Sequence, residues 1–458
     1  MKRMYLFLAA AAMLLTTACS NDDAANGVAL DSQTTAANLA VGFDTYTANA
    51  TRSGQTGVMN TTQLQTTGFG VFAYQSEDVW TATNKPDFMY NQHVTYTTPS
   101  WIYSPLKYWP NETGSNNIDD NGARSGKLER LTFFAYAPYV EATVADGKVT
   151  STAITDVDNE ATPNPLTNVG ITALSANDAA GAAKVTYQIA YTPSKSVDLL
   201  WGVAPAGGLD YQSVNPANNA NAHITRLEGT PLIDLMKPDK DQKIKFLFKH
   251  ALARLGMTVV AAVDQIAPGG SLDKTETKIF VNSVTITDAS SPKTIATTGD
   301  LILKNNSAGV ANWEASAGDL KLVINSSREL NSALIGTKSD FANAEKPGVT
   351  TSETPVIAGG NYFMLIPTPG QAANLDVTID YTVITKDTNV DGEYAITNNV
   401  ITKQITLNST ETGHTGFTNN KSYNLKLILG LTSVKLAAEV ADWQLEGDTD
   451  VNLPRNNE

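Results

Sequence analysis

Residues 375–383 read LDVTIDYTV, in which Leu375, Val377, Ile379, Tyr381 and Val383 alternate with Asp376, Thr378, Asp380 and Thr382. A period of two belongs to an extended chain whose side chains point to opposite faces, so this stretch predicts a half-buried strand with one wet face. The pattern returns downstream in Tyr423, Leu425, Leu427 and Leu429. From Val434 the apolar phase moves to even numbers, with Leu436, Ala438 and Val440. One flat strand cannot slip its phase by a residue, so a turn or bulge is expected at 430–433.

The rest of the chain agrees. Thr, Asn, Ser, Val and Ala dominate while Glu, Lys and Arg are sparse, which starves helical surfaces and favours strands joined by polar turns. Further strands are expected at 70–74, 131–139, 184–191, 199–203, 243–248, 258–263, 278–286, 320–324, 362–366 and 400–407. Many short strands between Gly, Pro, Asn and Asp turns indicate an all-β sandwich or barrel. The run KHALARL at 249–255 fits one helical turn or a continuing strand. Two prolines and a crowd of charges at 231–241 (PLIDLMKPDKD) interrupt the strand pattern, so the chain is divided there into domains at 39–235 and 240–458.

The first residues concern compartment. Lys2 and Arg3 precede an apolar or small-residue run at 5–15, followed by Thr16, Thr17, Ala18 and Cys19, the only cysteine. A charged start, a short apolar run and small residues before the cut make residues 1–18 a signal peptide. Cys19 then resembles the lipidated cysteine of a lipobox, although Thr16 stands where a branched aliphatic residue is usual. Residues 19–38 are polar and small, as a tether should be. The acidic SNDD at 20–23 resembles an export tag of surface lipoproteins. The formal charge of −14 argues against nucleic acid or an anionic membrane surface as partner. With one cysteine there is no internal disulfide, and the core must hold by burial.

Catalytic signatures are missing. The four histidines, His93, His223, His250 and His414, are not at metal-ligand spacing, and there is no GxSxG, P-loop or HExxH. The chain is therefore read as a non-enzyme without a cofactor. His250, between apolar residues, reads as a hydrogen-bonded structural residue. Asp387, Asn389 and Asp391 alternate before Gly392, as in the first half of a calcium loop. Asn398 stands where a bidentate Glu would be needed, which rules out an EF-hand, and Asp-Gly is equally the chemistry of a hairpin turn. Trp101, Tyr103, Tyr108 and Trp109 crowd large rings together. Such a cluster plugs a sandwich core or, if exposed, forms a platform for sugars.

Several phrases in order resemble the fimbrillin family of Bacteroidales: GFGVFAY at 68–74, WIYSPLKYWP at 101–110, LTFFAYAP at 131–138, FKHALARL at 248–255 and EVADW at 439–443. The resemblance implies two tandem transthyretin-like β-sandwich domains, export as a lipoprotein acylated (palmitate) at Cys19, and assembly with other subunits into an adhesive pilus on the outer membrane. It also implies a maturation protease that cuts after an arginine near the N-terminus. Arg52 is the only basic residue between Arg3 and Lys85, within small polar neighbours that suit such a cut. Leu39, Val41 and Phe43 alternate just before it, so the removed piece is expected to be a strand. Its replacement would be the candidate donor strand 434–443 of a neighbouring subunit, with Val434, Leu436, Ala438 and Val440 filling alternate pockets. The alternative keeps that strand in its own domain's sheet, as in a terminal subunit that donates nothing. The competing expectation is a cell-surface glycan-binding lipoprotein of a nutrient uptake system, which shares the lipobox, sandwiches and aromatics.

Overall fold

In the computed structural model the described residues are 39–47, 58–77, 79–110, 129–150, 169–213, 222–238, 242–262, 277–325, 327–407, 415–431 and 434–443. Among them strand dominates, in keeping with the all-β reading. The first sheet runs β1 (Phe43–Thr47), β12 (Ile244–His250), β8 (Leu200–Val203), β5 (Arg130–Ala137), β2 (Phe69–Ser76), β3 (Met89–Thr97) and β4 (Ser100–Ile102), with β11 (Leu232–Leu235) also on β5. A two-stranded sheet pairs β9 (Leu209–Ser213) with β10 (Ala222–Arg226).

Three further sheets follow. One runs β18 (Thr354–Pro355), β13 (Ala253–Ala261), β22 (Lys421–Leu429) and β23 (Val434–Asp442), with β19 (Phe363–Leu365) on β13. Another runs β17 (Lys321–Ile324), β14 (Thr277–Asp288), β20 (Ala373–Lys386) and β21 (Tyr394–Leu407). The last runs β16 (Val310–Ala317), β15 (Ala296–Ser307), β7 (Lys184–Gln188) and β6 (Gly170–Leu174).

Strands from before and after residue 240 share two of these sheets, since β12 lies between β1 and β8 and β15 pairs with β7. The KHALARL run is one crossing point. Lys249 and His250 end β12, Ala251 and Leu252 link, and Ala253 opens β13 in a different sheet. The choice left open between helical turn and strand is thus settled as strand, broken by a two-residue step.

The alternating stretch behaves as its pattern requires. Leu375, Val377, Ile379 and Tyr381 on β20 are fully buried, while Thr378 and Thr382 on the other face bond Thr402 and Asn398 of β21. The phase change after Leu429 is a hairpin: Leu429 pairs with Val434, and the register runs on to Lys421 against Asp442. The phrase GFGVFAY follows the single described α-helix, α1 (Thr61–Thr67), which Asn60 and Gln63 close with a capping box. Gly68 ends that helix at φ 68°, where a Cβ would sit 2.5 Å from the carbonyl of Val94. At Gly70 a Cβ would meet the Tyr136 ring at 2.3 Å, so this second glycine lets β2 and β5 close up.

Candidate functional site

The chain at 39–47 enters the first sheet at its edge. Its strand lies a few residues later than expected, at Phe43–Thr47, and runs parallel to β12 with Phe43 opposite Ile244 and Thr47 opposite Phe248. Before the strand proper, Ile244 N donates to Gly42 O at 2.8 Å. The other flank is the aromatic segment at 103–109. Val41 N donates to Lys107 O at 2.9 Å and Trp109 N to Leu39 O at 2.8 Å. The Tyr103 hydroxyl donates to Val41 O at 2.7 Å.

This short piece covers a strongly apolar floor. Val41 and Phe43 are fully buried. The Phe43 ring lies 5.4 Å from Tyr103, 5.9 Å from Phe133, 6.1 Å from Phe246 and 6.3 Å from Phe69. Phe69 in turn packs on Trp101 and Phe248. Of the four crowded rings, Trp101, Tyr103 and Trp109 therefore face this core, and Tyr108 remains exposed. The sequence anticipated the clustering of these rings. It did not anticipate that their segment forms one wall of a seat for the N-terminal strand.

On the flank away from β12 the Tyr103 hydroxyl is the side-chain bond to this segment, so it has measurable weight. Burial pushes its hydroxyl up to about 12, against a hydrogen bond donated by Lys107 N at 3.2 Å that works the other way. A raised value means that the protonated form is favoured in the fold. The contribution is fully present below about pH 10 and fades as pH rises towards 12. Replacing Tyr103 by Phe keeps the packing and removes the bond to Val41 O. The expected result is a loss of about 1 kcal/mol from the hold on residues 41–47, read as faster amide hydrogen exchange there.

The second element is β23, at the edge of its sheet. Val434 is buried, whereas Leu436, Ala438 and Val440 are half-buried. The first half of the strand faces β21 across a cleft of 680 Å³ lined by Lys403–Thr406 on one side and Val434–Ala438 on the other. Val434 at its start and Trp443 just after it are buried, while Leu436, Ala438 and Val440 between them pack half-buried against the core. Cys19 and Arg52 lie outside the described residues.

Asp387, Asn389 and Asp391 fall in the turn between β20 and β21. There the Asp387 carboxylate accepts from Asn389 N at 2.9 Å and Asn389 Nδ2 at 3.1 Å, and Asp387 N donates to Glu393 O at 3.0 Å. The Asp387 oxygen is engaged inside the turn itself, where it accepts from the backbone two residues on as an Asx turn does. Among the described residues no three His, Cys, Asp or Glu side chains converge as a metal-binding group would require.

His250 is fully enclosed, with Nδ1 2.8 Å from Asp198 Oδ2. Asp198 had no signal in the sequence beyond being a single acid in an apolar strand-like run. Its carboxylate also accepts from Met59 N at 2.9 Å and Leu199 N at 2.8 Å.

No family model matches the chain. Over 433 residues it is 25% identical to fimbrium subunit Fim1C of Phocaeicola vulgatus, covering 91% of this chain and 92% of that protein. The crystal structure of a fimbrial protein from Bacteroides vulgatus has the same fold, with a TM-score of 0.56 at 21% identity, covering 88% of this chain and 99% of that one.

Proposed function

We propose, from the premise that this chain is a homologue of the Bacteroidales fimbrial subunits, that it is a structural or tip subunit of an adhesive pilus. In this reading it is exported as a lipoprotein, held on the outer membrane through Cys19, and matured by cleavage after Arg52. Cleavage frees the piece that carries β1. The edge of β12 and the floor of Phe69, Phe133, Phe246 and Phe248 then stand open, and an open apolar edge readily pairs with another chain. The donated strand is β23 of a neighbouring subunit, with Val434, Leu436, Ala438 and Val440 entering where Val41 and Phe43 sat. Backbone bonds supply the affinity and alternate side chains supply the fit.

The observation that carries this reading is the β1 seat. Two of its side chains are completely buried in an aromatic core, yet it is an edge strand, laddered to β12 alone. The inward turn of Trp101, Tyr103 and Trp109 weighs against a sugar-binding platform built from these rings. The test is a pair of cysteines, Ile244→Cys in the seat and Leu436→Cys on β23. Disulfide-linked ladders between subunits are expected after cleavage and not before it. Polymers that form without ladders would mean that β23 is not what fills the seat.

A further inference from the structure

We propose that Trp443 is the latch that keeps β23 in its own sheet until the N-terminal piece has left. The inference rests on the reading that β23 is donated and adds to it the residue that decides when. The Trp443 ring stacks on His250 at 3.9 Å and 6°. The Arg254 guanidinium carbon stands 5.2 Å from the same ring and 4.4 Å from that of Tyr362. Trp443 N donates to Asn420 O at 3.2 Å, and Arg254 is steadied by a bond from Nε to Ser422 Oγ at 3.0 Å. With Leu436, Ala438 and Val440 only half-buried, this enclosed seat is the firmest hold at the C-terminal end of β23.

The anchor is strong but incomplete. Trp443 is 2% exposed, and its Nε1 finds no hydrogen-bond partner among the described residues. A buried N–H without an acceptor works against the stacking and cation–π attraction, so the ring is held firmly but with part of that hold offset. A latch must open, and this one has a built-in reason to.

The route from the maturation segment is contiguous. β1 pairs with β12 up to Phe248, and His250 is the last residue of β12. Asp198 grips His250 and, with the same Oδ2, the backbone N–H of Met59, seven positions after Arg52. Both sides of the cut therefore bear on the residue against which Trp443 stacks. Loss of β1 leaves one edge of β12 without its partner strand, and the His250 face loosens with it.

The test is amide hydrogen exchange on the full-length protein, read at residues 434–442. Trp443→Ala is expected to speed exchange there on the order of tenfold or more, while residues 375–383 stay unchanged. Trp443→Phe, which keeps a stacking ring, is expected to retain most of the protection. In the wild type, trypsin cleavage after Arg52 is expected to move 434–442 towards the Trp443→Ala rate. Unchanged exchange in Trp443→Ala overturns the latch. Cleavage that leaves 434–442 as protected as before overturns its link to maturation, and this arm stands even if Trp443→Ala does not fold. Faster exchange without any intersubunit Ile244–Leu436 disulfide would instead refute donation by β23 and leave the latch intact.

Discussion

An Arg52→Ala chain is expected to stay monomeric where the wild-type chain assembles, and its N-terminal piece is expected to remain attached. The reason is the asymmetry of the β1 seat. Burying Val41 and Phe43 contributes about 1.5–3 kcal/mol for each side chain, and leaving the floor of Phe69, Phe133 and Phe246 bare would expose further rings. Departure of β1 is therefore uphill unless another strand replaces it. As long as β1 is covalently joined to residue 58 and beyond, its effective concentration at the seat outcompetes any strand from a second subunit. A cut after Arg52 removes that advantage and makes the exchange a contest between separate chains. The measurement is sedimentation of cell-surface material with N-terminal sequencing, which should find Ser53 as the first residue of the assembled wild type. Polymers of normal length from Arg52→Ala would sink the idea.

Asp198→Ala is expected to cost about 3–5 kcal/mol of folding stability, as leaving several buried donors without an acceptor generally does. Asp198 is completely buried, and its two oxygens satisfy Met59 N, Leu199 N and His250 Nδ1 at once. Removing it leaves two backbone N–H groups and an imidazole nitrogen without partners in a space closed to water. Asp198→Asn should fall between wild type and alanine. It keeps one acceptor oxygen but sets an NH2 against groups that donate. Chemical denaturation curves measure both. A loss under about 0.5 kcal/mol for Asp198→Ala, the size of an ordinary surface change, would show that the node holds nothing of consequence.

Much of the scaffold was legible beforehand. The stretch at 375–383 declared a strand because one face is buried and the other wet, and the hairpin between Leu429 and Val434 was announced by the phase change between them. β16 was missed because its residues are exposed or half-buried on both faces, and β15 because Thr297, Gly299 and Asn305 share its buried face with Leu301 and Leu303, so its alternation is not apolar. The strand near the N-terminus was expected, but its observed bounds begin at Phe43, because the backbone at 39–42 bonds the loop at 107–109 more than a sheet. The crowd of rings at 101–109 was visible, whereas its wall against Val41 and Phe43 was not.

What the sequence determined by itself is local: period-two burial, the turn between opposite phases, and the absence of familiar catalytic signatures. These follow from the pleat and from side-chain chemistry, which act between near neighbours. Only the tertiary structure decided that β1 lies parallel to β12, that Trp443 closes on His250 and Arg254, and that Asp198 joins Met59 to His250. A parallel pairing needs no turn between its strands and so leaves no signal at any spacing. Its partners are selected by which apolar faces fit once distant segments have been brought together.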